Sequence, residues 1–194
     1  MAEWASYRLS DFILFSDTAY YRQFELYNEA IWPLQFVALL FSLVMLYALW
    51  KKPGWGGRAV GVILVVSWLW VAWAYLYQRL DQLHVVADKY ALGFVVQAVL
   101  LAWFGVVKNR FELVNSRGRV IMGTVLLAVA LVIYPLIAVL SGRPWMQFEL
   151  FAFAPDPTVL ATLAILLRYK AAWLLYVIPL VWLLISGMTL YAIL

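Results

Sequence analysis

Residues 151–170 read FAFAPDPTVLATLAILLRYK, and the length of this stretch decides how the chain can thread a membrane. From Pro157 to Leu167 it is apolar helix, bounded by an Asp-Pro start and an Arg-Tyr-Lys stop. At ~1.5 Å rise per residue that helix covers roughly 16 Å, about half of a bilayer's hydrocarbon core. It must span, stop halfway, or begin inside the membrane.

The surroundings make a membrane the right frame. The 194 residues are 67% hydrophobic and only 12% charged, with a mean hydropathy of +0.91. A soluble domain carries about twice that charge fraction. The apolar residues come in long runs, as an integral membrane protein requires. Cysteine is absent and His84 is the one histidine, so thiolate metal sites, disulfides, iron–sulfur clusters and bis-histidine haem are excluded within this chain. Residues 1–26 carry Glu3, Arg8, Asp11, Asp17, Arg22 and Glu25 and do not read as a cleavable signal peptide.

The expected fold is all-α: one polytopic domain over residues 1–194, a bundle of six transmembrane helices. Residues 1–26 form an amphipathic outer interfacial segment and 27–194 the bundle. The expected spans are Ala30–Trp50, Ala59–Tyr77, Tyr90–Val107, Arg119–Ser141, a short, half-broken fifth within Phe151–Leu167, and Ala172–Leu194. Trp32, Trp50, Trp55, Trp103, Trp145 and Trp173 stand at their ends as interfacial anchors. The connections 51–58, 108–118 and 168–171, with Arg119, carry nine basic residues and one acid, Glu112. The other side has five basic residues and nine acids, so both termini are expected to face away from the cytoplasm.

That asymmetry bears on the opening stretch. A re-entrant stub would leave Arg168 and Lys170 outside, so the fifth element is expected to cross. It can do so if Phe148–Ala154 folds back inward as a lead-in covered by protein, including the N-terminal segment. Asp156 then reads as the N-cap and Pro157 as the first helical residue, either as a simple exposed cap with Arg143 in solvent or, if buried, paired with Arg143, the sequence-local cation.

YNEAIWPLQ (27–35), the preceding DFILFSDTAYYRQFELYN (11–28), YPLIAVLSG (134–142) and PDPT (155–158) with ATLAILL (161–167) carry a resemblance. Together they resemble a family of bacterial inner-membrane proteins known only as a domain of unknown function, with YNxAIWPxQ and PxPxT motifs. The resemblance covers nearly the whole chain and implies fold more than activity. Where relatives are expected to have Gly-His this chain has Gly142-Arg143, and where they have Pro-Cys-Pro it has Pro155-Asp156-Pro157. A cation and an anion in one outer loop replace that chemistry.

The candidate site is a polar seam of Asn28, Glu29, Trp32, Gln35, Gln97, Tyr134, Arg143, Asp156 and Thr158. Asn28, Trp32, Gln35 and Ser42 share a helical face by spacing, and intramembrane amides usually face the bundle interior. The plain alternative is that Gln35 and Gln97 are structural glue. Pro33, Pro135 and Pro179 free the carbonyls of Glu29, Leu131 and Leu175 in principle. Gly57-x-x-x-Gly61 and Ala98-x-x-x-Ala102 are close-approach patterns.

No acid falls inside a span, which argues against proton or ion coupling. No catalytic constellation, metal site or nucleic-acid signature is present, so no enzyme activity, cofactor or nucleic-acid partner is expected. Trp68, Trp70 and Trp73 point around the second span, so lipid, a pigment or another protein's helices must cover some of them. The favoured reading is a non-catalytic accessory or structural subunit of a bacterial inner-membrane complex, with the lipid bilayer and other membrane subunits as partners. The alternative is a small-solute transporter or receptor with an outward vestibule.

Overall fold

A computed structural model describes residues 17–80 and 87–193. Among these the chain is helical, with one isolated antiparallel bridge between Leu113 and Tyr169. The expectations for residues 1–16 and for His84 lie outside the described residues.

The order is α1 (Asp17–Ala30), α2 (Gln35–Lys51), α3 (Gly56–Trp70), α4 (Ala87–Leu101), α5 (Arg117–Ala128), α6 (Tyr134–Leu140), α7 (Pro155–Arg168) and α8 (Leu174–Ile193). π-helical turns extend α3 over Val71–Tyr77 and α4 over Ala102–Val107, and join α5 to α6 over Val129–Ile133. Four helices are long and apolar enough to cross a membrane: Gly56–Tyr77, Ala87–Val107, Arg117–Leu140 and Leu174–Tyr191. Counting the bent α1–α2 pair makes five. Of the six expected spans, four or five thus qualify by length and composition.

The first expected span begins late. A turn at residues 31–34, holding the cis Trp32-Pro33 bond, breaks the helix, and α1 and α2 meet at 93°. Pro33 has no amide to continue the ladder. α2 stops where Lys52 turns left-handed ahead of Pro53.

The opening stretch is resolved by α7. Its 14 residues reach about 21 Å, too short to span unaided. It is instead the central helix: from Phe151 to Leu166 every residue except Leu160 is buried. A helix apolar all round belongs inside a bundle. It packs on α3, α5, α8 and the π-turn before α6.

The three basic loops gather at one end. The Val114 amide donates to the Arg168 carbonyl at 2.9 Å and the Lys170 amide to the Glu112 carbonyl at 2.7 Å. Lys170 and Glu112 pair at 2.9 Å. A Cβ at Gly57 would stand 2.3 Å from the Phe111 carbonyl oxygen, so the 51–58 turn presses on the same loop. Farther into the bundle a Cβ at Gly61 would stand 3.1 Å from the Gly105 backbone, the close approach that small residues permit. α7 therefore ends at the basic end. Its last carbonyls are met by Arg119, which donates to Leu166 and Tyr169 at 3.1 and 2.8 Å.

At the opposite end the Asn28 amide donates to the carbonyls of Met146 and Phe148, both at 2.8 Å. α1 thereby clamps the turn that leads into α7.

Both amides predicted to face inward do so. Gln35 donates to the Asn28 carbonyl at 2.7 Å, and Gln97 to the Leu175 carbonyl at 3.0 Å. Leu175 is the carbonyl that Pro179 releases, so Gln97 answers a vacancy made by a proline four residues on. Gln97→Leu should lower stability by about 1–2 kcal/mol by stranding that buried carbonyl. Thermal unfolding in detergent checks it; an unchanged midpoint removes the role.

Candidate functional site

A cavity of about 640 Å³ opens at the end opposite the basic loops, between α1, α6, α8 and the 141–149 loop. Its walls include Tyr21, Tyr134, Arg143, Gln147, Glu149 and Leu190.

Asp156 lies just beneath this cavity, 5% exposed. It is not the N-cap. Ala154 takes that position in extended conformation and Pro155 is the first helical residue. Proline suits that place because the amide it lacks has no helical partner anyway. One residue on, the Asp156 side chain turns away from the helix end. It accepts from the Tyr134 hydroxyl, the Trp182 indole N–H and the Ser186 hydroxyl, each at 2.7 Å. Three donors from α6 and α8 thus converge on one carboxylate in the first turn of α7, where the helix dipole also favours negative charge.

No side chain caps α7, and Thr158 instead ties the helix to the turn before it. Its hydroxyl donates to the Ala154 carbonyl at 2.7 Å and accepts from the Ala152 amide at 2.9 Å, which pins the turn where Ala152 has a φ of +72°. Thr162 repeats the pattern, donating to the Thr158 carbonyl and accepting from the Trp68 indole.

The Arg143–Asp156 pair does not form; among the described residues no ion pair involves either one. The three donors already satisfy Asp156. Arg143 stacks over the Tyr21 ring, 3.6 Å from its centroid, and its Nη1 is buried without a hydrogen-bond partner. Glu149, 8% exposed, forms no ion pair among the described residues. It sits in the loop before α7, outside the spanning helices. Burial chiefly, then the Asp156 charge, pushes its carboxyl up to about 8, with Arg143 opposing.

The expected seam is regrouped. Tyr134, Arg143 and Asp156 meet at or under the cavity, and Thr158 lies behind them. Asn28 and Gln35 brace the α1–α2 corner, and Gln97 braces α8. Glu29 and Trp32 do not join: both are exposed, Trp32 at 57%. The break at residues 31–34 rotates Trp32 off the face that unbroken helical spacing assigns it. Ser42 bonds its own helix at Ala38. Of the three tryptophans on α3, Trp68 is fully buried and Trp70 bonds the Tyr27 hydroxyl at 2.8 Å; Trp73 is 55% exposed.

Sequence reasoning missed Glu149, Tyr21, Trp182 and Ser186. Trp182, Ser186 and Leu190 recur every four residues on one face of α8, a readable signal. Glu149 gave none, since a loop acid ordinarily reads as solvated. The argument against a buried acid also needs correction: Asp156 is at a helix end, but that end is inside the bundle.

A family model described as a family of unknown function, DUF6064, matches residues 17–194. This chain belongs to the DUF6064 family. The match takes in every residue of the cavity wall and the Asp156 cluster. Neither a curated protein nor a solved structure matches the chain. A DUF6064 chain thus brings a fold and a polar cavity without a relative's chemistry attached.

Proposed function

We propose that this protein binds a small polar solute at a vestibule facing away from the cytoplasm, as a transporter or receptor in a bacterial inner membrane. One observation carries the reading: two side chains of opposite charge, Arg143 and Glu149, border the same cavity, and neither forms an ion pair among the described residues. Leaving a buried carboxylate such as Glu149 without a counter-charge is costly, and a ligand that pairs it relieves the cost. The subunit reading drew on aromatic side chains needing outside cover. With Trp68 and Trp70 engaged within the chain, Trp73 alone of that set supports it.

A solute screen by thermal shift on the purified chain, with co-purification from native membranes in mild detergent, separates the two. Stabilisation by a small solute, with the chain running free, supports the vestibule. A stoichiometric membrane partner and no response to any solute would overturn it.

The topology belongs to the same proposal: both termini outside, with α7 and the residues from Phe151 onward completing a sixth crossing. Support comes from the gathering of the basic loops at the end where α7 stops. Cysteine labels at Lys52, Asn115 and Tyr169 should report cytoplasm, and at Asp17 and Gln82 the outside. Tyr169 labelled only from outside would remove the sixth crossing.

A further inference from the structure

We infer that the solute is a zwitterion, its anionic group held by Arg143 and its ammonium group by Glu149. The inference rests on the vestibule reading and deepens it.

The argument is one of elimination within the cavity wall. Asp156 already accepts three donors, and the Tyr134 hydroxyl donates to it. Gln147 donates to Glu25 at 3.2 Å, and Ser141 donates to its own helix at Ile137. Glu25 is also paired with Arg22. Of the charged side chains that border the space, Arg143 and Glu149 have no ion-pair partner among the described residues. No ion pair joins Arg143 to Glu149. They are nonetheless near enough to feel each other's charge. A solute with one charge of each sign satisfies both, whereas a simple anion or cation satisfies one and leaves the other buried and unmatched.

Arg143 is also held in place: it packs over the Tyr21 ring at the cavity wall, and a planar guanidinium held by one face keeps in-plane N–H donors for a carboxylate. Ile137, Pro144 and Leu190 supply an apolar wall for the rest of the solute. The volume lies within the roughly 300–1,000 Å³ typical of small-molecule sites.

Protonation sharpens the test. Asp156 and Tyr134 face Glu149 from α7 and α6, Arg143 from its own loop and Tyr21 from α1. With its carboxyl at about 8, Glu149 holds a proton at pH 6, which an incoming ammonium must displace. Affinity should therefore rise about tenfold from pH 6 to pH 7 and level off above about pH 8.

The experiment is calorimetric titration of the full chain in nanodiscs. The probes are L-alanine, L-leucine and 4-aminobutyrate as zwitterions, acetate and inorganic phosphate as anions, methylammonium as a cation, and glucose. The expected result is binding of a zwitterion with that pH slope. Glu149→Gln should weaken it at least tenfold and abolish the slope. Arg143→Gln should weaken it at least tenfold, and Arg143→Lys, which keeps the charge but loses the planar fork, by less, while neither moves the melting midpoint of the empty protein, which shows that binding and not folding is lost. Binding only of an anion, cation or sugar, indifferent to Glu149→Gln, overturns the zwitterion and leaves the vestibule standing. No binding of any probe overturns both.

Discussion

Replacing Asp156 by alanine is expected to lower the stability of the folded chain by about 3–5 kcal/mol. The side chain joins the first turn of α7 to Tyr134 of α6 and to Trp182 and Ser186 of α8. Truncation strands three donors, and the Trp182 indole cannot swing away to water. Its ring is held edge-on against Tyr90 and Phe94, with centroids at 5.6 and 4.9 Å. Asparagine keeps the shape and one acceptor oxygen but turns an amide donor toward other donors, so Asp156→Asn should cost less, about 1–3 kcal/mol. Tyr134→Phe and Ser186→Ala each delete one donor and leave the carboxylate other partners, and should cost about 1 kcal/mol. Equilibrium unfolding in mixed micelles gives the order. Equal, small losses for alanine and asparagine would mean that the carboxylate does not hold these helices together.

This cluster shows where sequence reasoning reaches its limit. Composition made the long apolar helices legible, and two of the loops grouped together by their basic charge do meet at one end, through the Val114–Arg168 and Lys170–Glu112 contacts. The odd length of the stretch ending at Leu167 pointed to an element unlike its neighbours. The proline at 179 named the Leu175 carbonyl as free, though not that Gln97 would take it. What stayed hidden depends on contacts between segments far apart in the chain. Pro-Asp-Pro reads locally as a cap, and only the arrival of α6 and α8 turns Asp156 into a hub. The break at residues 31–34 moved Trp32 to the surface because one proline outweighs four residues of helical spacing. Asn28 reaches carbonyls 118 and 120 residues away, and no local pattern announces such a pairing.

Glu149→Gln is expected to stabilise the protein in alkali and to do little in acid. Folding buries this carboxyl near Asp156 and lifts it from an ordinary value of 4.5 to about 8. The folded chain therefore retains a proton that the unfolded chain releases. Between about pH 4.5 and pH 8 the folded state binds more protons, so native stability falls as pH rises through that window. An elevation of this size corresponds to on the order of a few kcal/mol above pH 8. Glutamine has a similar shape and no charge to bury, so it removes the penalty. The melting midpoint of Glu149→Gln should exceed that of the unaltered protein by several degrees or more at pH 8.5, about 4 °C per kcal/mol for a chain this size. At pH 5 the two should melt together, because the native carboxyl is then protonated too. A constant difference at both pH values would place the effect in packing. Loss of stability at pH 8.5 would mean that the ionised carboxylate is held by Arg143 after all. A residue that weakens the empty fold yet borders its cavity is what a binding site requires, since the charge left unmatched is the charge a ligand can match.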